Sequence, residues 1–188
     1  MKKISLLSML LVVVLLGVSA NATVIYNPCS NLDELYTTGY AAGDWGIEPT
    51  GGPDGSAFFF FVTRAANNHT ASWNFADVTF KPGDTFSFDI RNIVALGIAN
   101  VDVRYILDNG SGGDIVIGAY SRINLSTNNW VHVTCNTPSY SYALKRIDFS
   151  VVENTKIIDI DNLTLTTIPE PATMAILGLG GLLLRRKR

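Results

Sequence analysis

The chain has 188 residues, of which 47% are hydrophobic and only 16% charged, with a formal net charge of −2. An ordinary soluble domain carries roughly 25% charged residues. The apolar content excludes a disordered chain, the scarcity of charge excludes a coiled coil, and the slightly negative balance excludes a nucleic-acid binder, which needs clustered cations to hold phosphates.

In chain order, Lys2 and Lys3 form a positive start, Ile4 to Val18 is an almost unbroken apolar run, and Ala20-Asn21-Ala22 supplies a small-x-small cleavage pattern. This predicts a secretory signal peptide over 1–22, cut by signal peptidase between Ala22 and Thr23. The alternative, an uncleaved anchor, is disfavoured by the shortness of the run.

From 23 to 167 no stretch sustains a helical period, and alternation with period two recurs. Phe86, Phe88 and Ile90 share one phase, as do Val101, Val103, Tyr105 and Leu107, then Val131, Val133 and Cys135, then Ile147, Phe149 and Val151. Turn signals separate them at Lys81-Pro82-Gly83-Asp84, Asp108 to Gly113, and Ser126 to Asn129. Short strands punctuated in this way predict an all-β domain, a β-sandwich of the jelly-roll type. It is flanked by an N-terminal signal helix and a short C-terminal membrane-sorting helix.

Two segments break the alternation. Phe58-Phe59-Phe60-Phe61-Val62 is apolar on both faces. One face meets the core; the other is either covered by a loop or strand, or is an exposed aromatic surface. In the last strand Ile158 and Ile160 take one phase while Leu163 and Leu165 take the opposite one, which predicts a β-bulge near Asp161-Asn162.

At the C-terminus Pro169-Glu170-Pro171 precedes a 13-residue apolar, glycine-dotted run from Ala172 to Leu184, closed by Arg185-Arg186-Lys187-Arg188. As a helix that run spans about 20 Å, short of the roughly 30 Å hydrocarbon core of a bilayer. The order of motif, short helix and basic stop resembles the PEP-CTERM sorting signal of Gram-negative bacteria, here over 168–188. The resemblance implies recognition by an exosortase. It also implies a precursor held at the inner membrane, and then delivery to the outer surface or extracellular matrix, often a biofilm matrix.

The two ends carry six of the 14 basic residues and one of the 16 acidic ones, so the domain between them has eight basic and 15 acidic residues, net −7. Such a balance can attract cations, or can simply keep an exported domain soluble. Cys29 and Cys135 are the only cysteines. Export permits a Cys29–Cys135 disulfide; two buried free thiols are the alternative.

Chemistry-bearing motifs are scarce. His69 lies in a polar turn and His132 shares a strand face with Trp130. No metalloprotease, redox, nucleophile-elbow or phosphate-loop motif is present, so no catalytic residue can be named and the chain reads as a non-enzyme. Sugar binding needs only aromatic platforms and a few polar partners. Trp45, between glycines in Gly43-Asp44-Trp45-Gly46, either presents its ring outward from a loop or buries it at the end of the sandwich, and Trp73, Trp130, His132, Tyr140 and Tyr142 complete the candidate set.

The strand around Trp130, then Leu144 to Val151, then Ile158 to Leu165 resembles the C-terminal half of carbohydrate-binding-module jelly rolls, the galactose-binding-like fold. That resemblance implies an exopolysaccharide partner. It also implies a structural calcium ion held by Asp161, with Asp33, Glu34 and Asp54 as further candidates. The expected function is a polysaccharide-binding or matrix component. The alternatives are a purely structural or adhesive envelope protein with no small ligand and, with less support, a glycan-active enzyme.

Overall fold

A computed structural model describes residues 22–38, 44–63, 70–93, 99–125, 128–135, 139–151 and 156–168. The signal helix over 1–22 and the sorting helix over 168–188 lie outside these residues, apart from Ala22 and Ile168. No helix among the described residues is long and apolar enough to cross a membrane.

Eleven strands are described: β1 (Thr23–Asn27), β2 (Leu35–Thr38), β3 (Trp45–Glu48), β4 (Phe58–Thr63), β5 (Thr70–Phe80), β6 (Thr85–Asn92), β7 (Ala99–Asp108), β8 (Asp114–Leu125), β9 (Val131–Cys135), β10 (Tyr142–Val151) and β11 (Lys156–Thr167). Sheet A runs β3-β4-β11-β6-β9, with β1 beside β11; sheet B runs β2-β5-β10-β7-β8. The predicted β-sandwich is therefore present over Val24–Thr167, which forms one compact unit.

The alternating residues build the core. Phe86, Phe88 and Ile90 of β6 face Val101, Val103, Tyr105 and Leu107 of β7 and Ile147 and Phe149 of β10, all fully or nearly fully buried. Phe86 lies near the centre of an aromatic layer, its ring centroid 5.2 Å from Phe88, 6.0 Å from Trp73 and 6.2 Å from Phe149. Stacked and tilted contacts of this kind add to the area that each ring removes from water. Val131 keeps the phase of Val133 and Cys135, opposite Ile90, but at the start of the edge strand β9 it is exposed.

The bulge is where the phase conflict placed it. The β11–β6 register shifts between Asp161 and Thr164. Asn162 takes a left-handed backbone with φ 52°. Ile158 and Ile160 before it, and Leu163 and Leu165 after it, all reach the core. As a result, Asp161 and Asn162 follow one another without either pointing into it.

Cys29 and Cys135 are both buried as free thiols, so the disulfide is not formed. Each has its own surroundings. Cys29 sits by the Asn27 carbonyl and the backbone of Phe59 and Leu163, while Cys135 packs against the Tyr105 hydroxyl. Burial raises both thiol pKa values, that of Cys135 to about 12, which leaves them inert as nucleophiles.

Candidate functional site

The outer face of sheet A is assembled by strand register. Phe60 of β4 is the cross-strand partner of Asp159 on β11, and Asp159 is the partner of Arg91 on β6. On the other side Phe60 pairs with Gly46 of β3. A Cβ at position 46 would meet the Phe60 ring at 3.2 Å, so the glycine leaves room for that ring beside the edge strand. The both-faces-apolar strand is thereby explained: Phe59 and Phe61 fill the core, while Phe58 and Phe60 occupy the outer face.

Phe58 is covered and Phe60 only half so. Arg91 shields Phe58: its guanidinium carbon lies 4.9 Å from the Phe58 ring centre and 4.5 Å from that of Trp130. Phe58 and Trp130 meet edge to face at 5.7 Å. The Trp130 indole N–H donates to the Gly51 carbonyl at 3.3 Å, pinning the loop before β4 over the sheet. Beside this stack, Glu48, Phe58, Phe60, Ile93, Ile157 and Asp159 line an open depression of about 230 Å³.

Asp159 is the unusual member. Its side chain is 0% exposed, and the Arg91 Nε–H donates to Oδ2 at 2.7 Å. Its other oxygen, Oδ1, has no hydrogen-bond partner. Burial pushes the carboxyl up to about 6, outweighing the hydrogen bond and charge of Arg91, with Glu48 adding to the rise.

A second polar row crosses the same sheet two residues along. His132 Nδ1 lies 2.9 Å from Asp89 Oδ1, Asn162 Nδ2 donates to Asp89 Oδ2 at 2.8 Å, and the Tyr26 hydroxyl donates to Asn162 Oδ1 at 2.5 Å. The bulge makes this row, because it turns Asn162 outward between β1 and β6. Asp161 accepts from the Ser56 hydroxyl at 2.9 Å and from the Asn162 N–H at 2.7 Å. Burial raises its pKa.

The expected sugar-binding residues are thus separated. Trp130 and His132 belong to the sheet A face. Trp73 is fully buried, its N–H donated to Glu34 at 2.8 Å, so its ring is spent on the core. Trp45 is not in a loop but opens β3; paired with Phe61, it takes the inward phase and packs half-buried against the core, 6.3 Å from the Phe59 ring. Tyr140 and Tyr142 form an edge-on pair at 6.4 Å at the start of β10, in sheet B, and do not neighbour Trp130. His69 lies outside the described residues. Glu48, Phe58, Phe60, Arg91 and Asp159 were not singled out as site residues. The signals that could have found them are the outward phase of the phenylalanine run and the Ile-Asp-Ile-Asp alternation of β11.

The four expected calcium ligands lie in two pairs, Asp54 with Asp161 about Ser56 and Asp33 with Glu34 about one hollow. Glu34 is engaged by Trp73 and by Asn27, and Asp161 by Ser56. Asp54 accepts from the backbone N–H of Ser56 at 3.0 Å, and Asp33 borders a separate polar hollow with Tyr26, Asn27 and Glu34. Among the described residues no three His, Cys, Asp or Glu side chains are grouped so as to hold a metal ion.

Residues 167–188 match the family model described as the PEP-CTERM protein-sorting motif. No curated protein sequence matches the chain. Solved structures match its fold. The CBM22-1 xylan-binding domain from Paenibacillus barcinonensis Xyn10C superposes with a TM-score of 0.61 at 10% identity, covering 81% of this chain and 99% of that one. The CBM22-1–GH10 modules of Clostridium thermocellum xylanase 10B, complexed with xylohexaose, give 0.60 at 12% identity; 76% of this chain is covered but only 28% of that longer one. A point mutant of a family 29 carbohydrate-binding module, CBM29-2, gives 0.52 at 20% identity, covering 78% and 92%. At these identities the likeness establishes the jelly-roll sandwich.

Proposed function

We propose that this exported protein, processed by an exosortase, binds a polysaccharide of the cell surface or extracellular matrix on the outer face of sheet A. The observation that carries the reading is the row formed by Phe60, Asp159, Arg91 and Trp130. It places a half-buried aromatic ring and a guanidinium, held by the buried Asp159 and stacked on Trp130, beside one open depression whose rim carries the exposed carboxylate of Glu48. A sugar ring has an apolar face to lay on an aromatic and hydroxyls to satisfy a carboxylate, and the row and its rim offer both. His132, with its side chain 61% exposed, extends the polar edge. The fold shared with xylan-binding and family 29 modules, and the sorting motif at the C-terminus, support the same reading.

Binding rather than catalysis is the role that this geometry supports. The test is a glycan array probed with the wild-type chain and with Phe60→Ala and Trp130→Ala. The expected result is a set of polysaccharide signals that both substitutions abolish. Silence across the array with the wild type favours the structural or adhesive alternative.

A further inference from the structure

Resting on the polysaccharide reading, we infer that the loop between β3 and β4 is a latch that holds Trp130 and Arg91 in the binding posture, with Gly52, Ser56 and Asp161 as its positioning residues. β3 ends at Glu48 and β4 begins at Phe58, so residues 49–57 form the connection. That is longer than the roughly two to five residues of an ordinary hairpin loop. The added length lies back over the outer face of sheet A, where it reaches Asp161 and Trp130.

The loop closes on itself. The Gly52 N–H donates to the Ser56 carbonyl at 2.9 Å, the Gly55 N–H to the Gly52 carbonyl at 3.0 Å, and the Ser56 N–H to Asp54 Oδ1 at 3.0 Å. Its seat is on β11. The Ser56 hydroxyl donates to Asp161 Oδ2 at 2.9 Å, and Asp161 is fully buried beneath it. The backbone at Gly52 comes so close that a Cβ there would stand 2.5 Å from both Asp161 Oδ2 and Ser56 Oγ. Position 52 is therefore closed to any side chain while the loop keeps this seat.

The same loop touches the binding residues one position earlier. The Gly51 carbonyl accepts the Trp130 indole N–H at 3.3 Å. A Cβ at position 51 would meet the Phe58 ring at 3.3 Å and an Arg91 Nη at 3.9 Å, so the backbone there packs on the stack that Arg91 makes with Phe58 and Trp130. Trp130 leads into β9, the edge strand of sheet A, and the Gly51 bond ties its ring to the middle of the sheet. A ring fixed before the ligand arrives spares binding the entropy of ordering it. A loop lifted off Asp161 takes the Gly51 carbonyl with it, and Trp130 loses that fixing.

The test uses the full-length chain in detergent with two readouts. One is isothermal titration with β-linked hexamers of glucose, xylose and N-acetylglucosamine. The other is the set of tryptophan indole N–H signals in a proton–nitrogen NMR spectrum, with Trp130→Phe assigning the Trp130 signal. Gly52→Ala and Ser56→Ala are expected to shift the Trp130 signal and to leave in place that of Trp73, whose N–H is given to Glu34 from a fully buried ring. They should also weaken binding of the hexamer that the wild type holds best, by about tenfold for Gly52→Ala and about threefold for Ser56→Ala. Ser56→Ala, which removes only a hydroxyl, carries the test if Gly52→Ala does not fold. A Trp130 signal that stays put in both variants, or one that moves while affinity is unchanged, overturns the latch and leaves the polysaccharide reading standing. Binding of none of the three hexamers by the wild type overturns both readings.

Discussion

Asp159 is held at a pKa of about 6 by burial, above the ordinary value of 3.8. Because the folded protein holds this proton more tightly than the unfolded chain does, the group's contribution to stability is fully present below about pH 4 and is lost as the pH rises through 6. A shift of that size corresponds to about 3 kcal/mol. Asp159→Asn should therefore gain on the wild type by several degrees of Tm as the pH is raised from 4 to 7; thermal melts across that range decide it, and a pH-independent gap would contradict the assignment. Arg91→Ala should cost about 3–5 kcal/mol in chemical denaturation, because it leaves a buried carboxylate unpaired and uncovers Phe58. Neither residue stood out in the sequence. They are 68 positions apart, and an outward-phase charge on a strand reads as solvated until the register shows what lies opposite.

At the level of the strand, β4 separates stability from binding. Phe59→Ala, on the inner face, should cost about 3–5 kcal/mol. Phe60→Ala, half-buried on the outer face, should cost far less in the same denaturation series and should lose glycan binding instead. The bulge in β11 allows a second dissection. Asn162→Ala should lose about 1–2 kcal/mol from the left-handed backbone together with its bonds to Asp89 and Tyr26. Asn162→Gly should restore the backbone part alone, and equal losses in the two variants would rule out strain as a component. The bulge was legible because the core imposes a two-valued phase, and Ile158-Ile160 and Leu163-Leu165 cannot share it otherwise. Trp45 was legible only as a choice between an outward and a buried ring: Gly46 serves the Phe60 ring, and pairing with Phe61 decides for the inner face.

For the whole molecule, the low net charge averages unlike parts, because the basic residues of the two ends conceal a domain of net −7. The sorting motif was readable in full because it is a linear signal. The sandwich was readable in outline because alternation is local. The site was only partly readable, since it is built from β3, β4, β6, β11 and the residue before β9, and tertiary register alone brings these together. The calcium ion that the resemblance implies has its own test: a fall in melting temperature on adding EDTA supports a structural ion at Asp161 and its neighbours, and an unchanged melting temperature removes it. The most direct test of the central claim is an NMR titration of the protein with the polysaccharide fragment that gives the strongest array signal, following backbone amide shifts. Binding on the sheet A face predicts perturbations concentrated at Phe60, Arg91, Trp130 and Asp159; perturbations centred on Tyr140 and Tyr142 in sheet B, or no saturable shifts at all, would contradict it.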